Sequence, residues 1–166
     1  MKTPPERVGL GGGCHWCTEA VFQALSGVRD VAQGFVCAPA PHHSWSEAVV
    51  VTFDPGVIDL RTLIEVHLRT HASTSPHKMR GKYRSAIYTF DDQQAHLASD
   101  SLQALQSGFP EPLVTLVLDH EDFRPSDERF QNYYATDPAR PFCRSYIDPK
   151  LRLIRETYSS FTRPVT

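Results

Sequence analysis

The chain has no surplus of positive charge. Its 17 Lys and Arg stand against 19 Asp and Glu, a net charge of −2. With no Lys/Arg cluster either, there is no electrostatic case for nucleic acid or an anionic membrane surface as a partner. Long apolar runs are missing too: nothing approaches the roughly 20 residues that span a bilayer. The leading stretch MKTPPERVG has no apolar segment of the signal-peptide kind, so a cytoplasmic address is expected. Neither an internal repeat nor a low-complexity linker divides the sequence, and its 13 prolines fall between periodic segments, where they punctuate loops. Cysteine is scarce. Cys14, Cys17, Cys37 and Cys143 are too few and too scattered for a disulfide scaffold in a chain of 166 residues, which is long enough to build its own core. They read as thiols with chemistry or as small buried hydrophobes, the second being the better reading for Cys37.

What is present has the periodicity of one α/β domain covering residues 1–166. Val8-Gly9-Leu10 looks like a strand end running into Gly11–Gly13, and Trp16, Ala20, Val21, Ala24 and Leu25 then recur at helical spacing until Gly27. Strands are expected at 28–36, 45–53, 85–90 and 113–118, each rich in β-branched or aromatic residues. Asp59 can cap a helix through Leu68, and Asp91 or Asp92 can start another that runs to Gln106. Short helices are expected near 126–134 and 149–161. Strands and helices in alternation, with some strands adjacent, predict an open sheet with mixed or antiparallel pairing, helices on its faces and long loops carrying the site.

The stretch GGGCHWCTEAVF, residues 11–22, is the most informative. A cysteine at a helix start meets unpaired N–H groups and the positive end of the helix dipole, which favour thiolate over thiol. The glycines allow a tight turn and leave space in front of the Cys14 sulfur. Trp16 offers an apolar wall, and His15 a hydrogen bond or charge. Three readings stay open. As a zinc clip, Cys14 and Cys17 need two more ligands from Cys37, His42, His43 or Cys143, none at a clean spacing. As a redox pair, Cys17 lies one turn from Cys14, near enough to attack a sulfenic acid formed there. As a structural pair, both simply pack.

Three blocks, Gly13-Cys14-His15-Trp16-Cys17-Thr18-Glu19, Ser46-Glu47-Ala48-Val49-Val50 and Lys82-Tyr83-Arg84-Ser85-Ala86-Ile87, resemble in order the motifs of the A-type peptide methionine-S-sulfoxide reductases. Phe123-x-Pro125, Gln131-Asn132-Tyr133-Tyr134 and Pro141-Phe142-Cys143 are similar to that family's C-terminal region. The resemblance implies a ferredoxin-like α/β sandwich with a long C-terminal segment and an oxidoreductase without metal or other cofactor. It further implies Cys14 as nucleophile on the sulfoxide sulfur, Glu47 as general acid and Tyr83 as a donor to the sulfoxide oxygen. Cys17 is the first choice as resolving thiol, Cys143 on a flexible tail the alternative. The implied partners are a sulfoxide, free or in a peptide, and thioredoxin or a similar dithiol.

The chain also departs from the family pattern. His15 stands where the family has phenylalanine, Trp45 where it has histidine, and Lys78 is the nearest match to its aspartate before the tyrosine block. The loop bearing a second oxygen-binding tyrosine is missing, and His42 or His43, in the shortened stretch, is the expected replacement. Those changes predict a reshaped substrate pocket lined by His15, Trp16, His42 and His43. Glu47, in an otherwise apolar strand, is costly unless paired or used, and burial would push its pKa up; otherwise it simply alternates to solvent. Glu19 reads as structural, Tyr83 and Tyr134 as site or core-edge residues, His67 and His71 as packing or capping groups. Arg84 is expected to pair a carboxylate or an anionic part of a substrate.

Overall fold

Strand β3 (Ser46–Phe53), carrying Val49, Val50 and Val51, is a central strand of a six-stranded sheet in the computed structural model, which describes residues 4–76 and 82–163. It pairs antiparallel with β1 (Glu6–Gly11) on one side and with β2 (Val28–Cys37) on the other. Strand β4 (Ala86–Thr89) adds antiparallel to β1, β5 (Leu116–Asp119) adds parallel to β4, and β6 (Asp122–Pro125) adds antiparallel to β2. The order is β5-β4-β1-β3-β2-β6. Helices α1 (His15–Gln23), α2 (Leu60–Arg69) and α3 (Asp92–Leu105) link the strands, so that the first four strands and two helices form the ferredoxin-like β-α-β-β-α-β unit. Strand β5 needs a crossover because it runs parallel to β4, and α3 supplies it. The C-terminal segment holds the short α4 (Tyr133–Thr136), a wide helical turn at Cys143–Ile147 and α5 (Asp148–Thr157).

The pleat sorts the side chains. Val49, Val51 and Phe53 face the helices together with Val8, Leu10 and Ile87, and meet Val21, Phe22, Leu63, Ile64, Ala98, Leu151 and Ile154. Ala48 and Val50 point the other way, into a smaller cluster with Val36, Ala86 and Tyr88. Each large apolar side chain so buried contributes about 1.5–3 kcal/mol relative to exposure. The capping residues read from the sequence act as such: Asp59 accepts from Thr62 N–H and Asp91 from Gln94 N–H, each at a helix start.

Three boundaries differ from the sequence expectation. Strand β5 starts at Leu116, later than 113, because Leu113 N–H goes to the Gln106 side chain and Val114 N–H to Ser73 O. The helix expected near 126–134 is a short 3₁₀ turn (Glu128–Phe130) followed by α4, interrupted at Asn132, whose φ of 53° is left-handed. Strand β6 was not anticipated; its DFRP sequence has one apolar residue and ends in proline, and only pairing with β2 makes it a strand. The sheet thereby gains an edge next to Gly34, where a Cβ would lie 2.2 Å from Arg124 O. Substituting Gly34→Ala should therefore push β6 off β2 and cost about 1–3 kcal/mol, measurable as a lower denaturant midpoint with faster amide exchange at residues 122–126.

Candidate active site

Strand β1 stops with Gly11 paired to Ala48, so the chain leaves the sheet alongside Glu47. Gly12 has φ +150° and lies so close to His71 that a Cβ would be 2.5 Å from the ring, a position only glycine fits. Among the described residues nothing lies within 4 Å of a Cβ placed on Gly13. His67 Nε2 donates to Gly11 O at 2.8 Å and pins the turn. Cys14 then forms the N-cap of α1 with an extended backbone, and its carbonyl accepts from Cys17 and Thr18 N–H.

Cys14 opens onto a cleft of about 510 Å³ that it shares with His15, Trp16, Phe35, Glu47 and Tyr83. Its thiol titrates together with that of Cys17, whose S–H is directed at Tyr146 O at 4.0 Å. A thiolate on either sulfur is stabilised by the S–H of the other, so the pair gives up its first proton easily and its second with difficulty. The neighbouring Cys14 thiol holds the Cys17 thiol down to about 7, and Cys17 in turn holds Cys14 up, with burial adding to the rise. The Trp16 N–H favours charge on Cys14. One negative charge is thus shared at the helix start, and transfer of the S–H proton from Cys14 to Cys17 puts it on the more exposed sulfur.

Glu47 is 6% exposed on the helix-facing side of β3, beside the start of α1. The odd-numbered side of the strand is the core side, so the solvent-facing alternative does not hold. Its Oε1 accepts from His15 N–H at 3.3 Å, and His15 Nε2 lies 3.3 Å from the same oxygen. The other His15 nitrogen, Nδ1, donates to Gly34 O at 2.7 Å. Burial lowers the His15 pKa, so the ring favours its neutral form. Lys82 Nζ stands 3.7 Å from Glu47 Oε2 and is held above its ordinary pKa range, first by Tyr83 and then by Glu47.

Ser46, unremarked in the sequence, fastens the tyrosine to this acid. Its hydroxyl donates to Lys82 O at 2.9 Å and accepts from Arg84 N–H at 2.7 Å, while Glu47 N–H donates to Lys82 O at 2.9 Å. Lys82-Tyr83-Arg84 is thereby tied to the start of β3. The far wall of the cleft is aromatic. Trp16 stacks on Tyr133 at 4.2 Å between ring centres and on Phe130 at 5.3 Å, and meets Phe142 edge-on. That wall is held by Glu19, which is 1% exposed and accepts from Asn132 N–H, Tyr133 N–H and Gln33 Nε2. Glu19 is therefore structural, as expected, but through these three bonds and not through the helix dipole. Phe130 and Phe142 were missed; the aromatic-rich run from Phe130 to Tyr146 was the available signal.

Several expectations change. His42 and His43 do not line the cleft. The segment that carries them turns back on itself, Ala38 N–H donating to His42 O and His42 N–H to Pro39 O, and is held down by Arg84. Arg84 pairs no carboxylate among the described residues and is 6% exposed: it donates to Ser44 Oγ and O, Val36 O and Tyr88 OH. Cys143 is not on a loose tail. It is fully buried in the Cys143–Ile147 turn with its S–H directed at Asp137 O. Tyr134 donates to Asp148 outside the cleft. Trp45 lies under the Arg124 guanidinium. Lys78 lies outside the described residues. Among the described residues no three His, Cys, Asp or Glu side chains are placed to hold a metal ion, so the zinc alternative has no ligand set there.

Fold and cleft together describe a thiol oxidoreductase on a ferredoxin-like sheet, and comparison with known proteins agrees. Solved structures with this fold include Mxr1 from Saccharomyces cerevisiae in reduced form (TM-score 0.74, 20% identity, 88% of this chain and 94% of that one). They also include methionine sulfoxide reductase A of Corynebacterium diphtheriae (TM-score 0.68, 23% identity, 81% and 76%). Curated relatives include the peptide methionine sulfoxide reductase MsrA of Thermus thermophilus, 33% identical over 97% of this chain and 99% of the relative. That of Chromobacterium violaceum is 34% identical over 93% and 97%. The family model described as peptide methionine sulfoxide reductase matches residues 6–161, and the chain belongs to that family.

Two outcomes test the site. Alkylation of the reduced protein should rise with pH through a midpoint near 7, the value to which Cys14 holds Cys17. Below it the pair is protonated and slow, above it thiolate and fast. In Cys17→Ala the S–H donor is gone, and the remaining Cys14 midpoint should move up to the ordinary thiol range of about 8.5 or beyond. Ser46→Ala should cost about 1–3 kcal/mol in chemical denaturation, because Arg84 N–H is left without its acceptor.

Proposed function

We propose that this chain reduces methionine S-sulfoxide, free or in a peptide, with Cys14 as nucleophile, Glu47 as acid and Tyr83 as a second donor to the sulfoxide oxygen. The observation that carries the reading is that Cys14 and Glu47 line one cleft, with Glu47 bonded to the backbone N–H of the residue after the nucleophile. A sulfoxide oxygen leaves poorly unless a proton and positive charge are supplied where its charge develops. Glu47 supplies the proton, Tyr83 and Lys82 the polar surroundings, and the apolar methyl and methylene groups rest against Trp16, Phe35 and Phe130.

The thiolate sulfur of Cys14 attacks the sulfoxide sulfur as Glu47 protonates the oxygen. The sulfur–oxygen bond of the substrate breaks, the thioether leaves, and Cys14 carries the oxygen as sulfenic acid; the substrate sulfur gains two electrons and the Cys14 sulfur loses two. Cys17, in the first turn of the same helix, then attacks the Cys14 sulfur, a disulfide forms and water departs. Cys143 would have to leave its buried turn to do the same, which favours Cys17 as the resolving thiol. The resulting disulfide needs an external dithiol. Thioredoxin is the proposed reductant, in line with a structural relative, yeast Mxr1, solved in complex with Trx2 (TM-score 0.63, 20% identity, 80% of this chain). No helix among the described residues is long and apolar enough to cross a membrane, and the cytoplasm is the proposed site of action.

Reduced protein incubated with resolved sulfoxide epimers should yield thioether from the S form and a Cys14–Cys17 disulfide, both visible by mass spectrometry. Cys14→Ser should give neither. Cys17→Ser should release about one equivalent of thioether and then stall. A Cys17→Ser protein that turns over freely by forming a Cys14–Cys143 disulfide would overturn the assignment of Cys17.

A further inference from the structure

The two sulfurs at the start of α1 differ in what surrounds them. Cys14 is half-buried and lines the cleft with Glu47, Tyr83 and Lys82. Cys17 is 4% exposed, belongs to the main core and does not line the cleft. Its S–H points at Tyr146 O, in a turn whose end residues, Cys143 and Ile147, are fully buried. A reagent from solvent therefore meets the Cys14 sulfur through the cleft, and meets Cys17 only if that turn is lifted out of the core. Displacement at a sulfur atom runs along one line, with the entering atom on one side and the leaving atom on the other. When Cys17 attacks the sulfenic acid, the oxygen leaves Cys14 on the side away from Cys17, into the cleft where Glu47 and Tyr83 stand. The disulfide so formed has its Cys17 end in the core and its Cys14 end facing the place the oxygen has left. A thiolate that attacks Cys14 in line occupies that same place.

We propose that the external dithiol enters by the substrate cleft and attacks the Cys14 sulfur, with Cys17 leaving as thiolate, so that sulfoxide and reductant use one passage in turn. The proposal rests on the Cys14–Cys17 disulfide of the reading above and adds the point at which it is attacked. In the first step a bond forms between the reductant sulfur and Cys14, and the Cys14–Cys17 bond breaks with its electron pair going to Cys17. The second thiolate of the reductant then attacks the reductant sulfur held by Cys14, and Cys14 leaves as thiolate. The dithiol is oxidised to a disulfide, and its two protons end on the protein. The charge of Lys150 favours thiolate on Cys17, the leaving sulfur. On the cleft side the Lys82 ammonium, 3.7 Å from Glu47 Oε2, offsets the carboxylate and lets an anionic nucleophile approach.

Oxidation with diamide makes the disulfide without any sulfoxide, so a protein inactive on sulfoxides would reject the functional reading and leave this one standing. A diamide product joined through Cys143 would reject Cys17 as the partner and this proposal with it. Diamide-oxidised protein treated briefly with 2-mercaptoethanol, quenched in acid and labelled with N-ethylmaleimide should carry mercaptoethanol on Cys14 and maleimide on Cys17 by mass spectrometry. A thioredoxin that keeps only its attacking cysteine should be trapped on Cys14 likewise. Either adduct on Cys17, with Cys14 free, would overturn the proposal. The passage is tested by charge. The rate of disulfide reduction by 3-mercaptopropionate, relative to that by cysteamine, should fall about fivefold in Lys82→Glu and by less in Lys82→Met, because only the first reagent carries a carboxylate past residue 82. Far-UV circular dichroism checks that both variants fold. A ratio unchanged in both would put the attack outside the cleft and reject the shared passage.

Discussion

At the start of β3 the pleat sends Ser46 and Glu47 to opposite faces of the sheet, and the cleft is built on that division. Ser46 holds the Lys82–Arg84 segment by two hydrogen bonds, and a third runs from Glu47 N–H to Lys82 O. The Glu47 side chain points to the helix face, where β1 has just ended and the glycines lead into Cys14. A one-residue slip of β3 would exchange the two, putting the hydroxyl in the cleft and the carboxylate in the smaller core. The pairing of Leu10 with Val49 and of Val31 with Val51 prevents it, because both contacts are apolar and buried on the correct face.

The second wall depends on a different buried acid. Glu19 sits in α1 two residues beyond Cys17, and its three acceptor contacts draw Asn132 and Tyr133 down onto the helix. Gln33 extends this network to Ser126 and Phe130. A carboxylate so deeply placed is tolerated because neighbouring donors replace the water it has lost, although burial still pushes its pKa up. The outcome is mechanical: Trp16 and Tyr133 stack, and Phe130 and Phe142 close the side of the cleft facing the thiol. Helix α1 thus carries the proposed nucleophile at its start and the anchor of the opposing wall five residues later.

The two chemical pairs in the cleft obey one rule. Cys14 with Cys17, and Glu47 with His15, each place two titratable groups so close that the charge of one acts on the other. In one pair, this makes a thiolate available near neutral pH. In the other, a buried ring with one nitrogen fixed on the Gly34 carbonyl holds its second 3.3 Å from Glu47 Oε1 and so fixes the place of the carboxyl group.

The elements and their faces were legible in the sequence, since β-branched alternation and the Asp59 and Asp91 caps are local signals that tertiary contacts reinforced. Cys14 and Glu47 were legible as candidates because a thiol followed a run of glycines and a carboxylic acid interrupted an apolar strand, whereas Tyr83 was legible only through the family resemblance of the Lys82–Ile87 block. What only the tertiary structure decided was which distant residues meet. His42 and His43 were expected in the cleft and lie outside it, because their segment folds back under Arg84. Ser46 and Gln33 carry no local mark of their roles, since a hydroxyl or amide becomes a fastener only when a partner 36 or 14 residues away reaches it. The sequence by itself determined which residues can act as thiol, acid and donor; long-range pairing decided which atoms face one another, because the action of one group on another depends on ångström distances that no spacing along the chain contains.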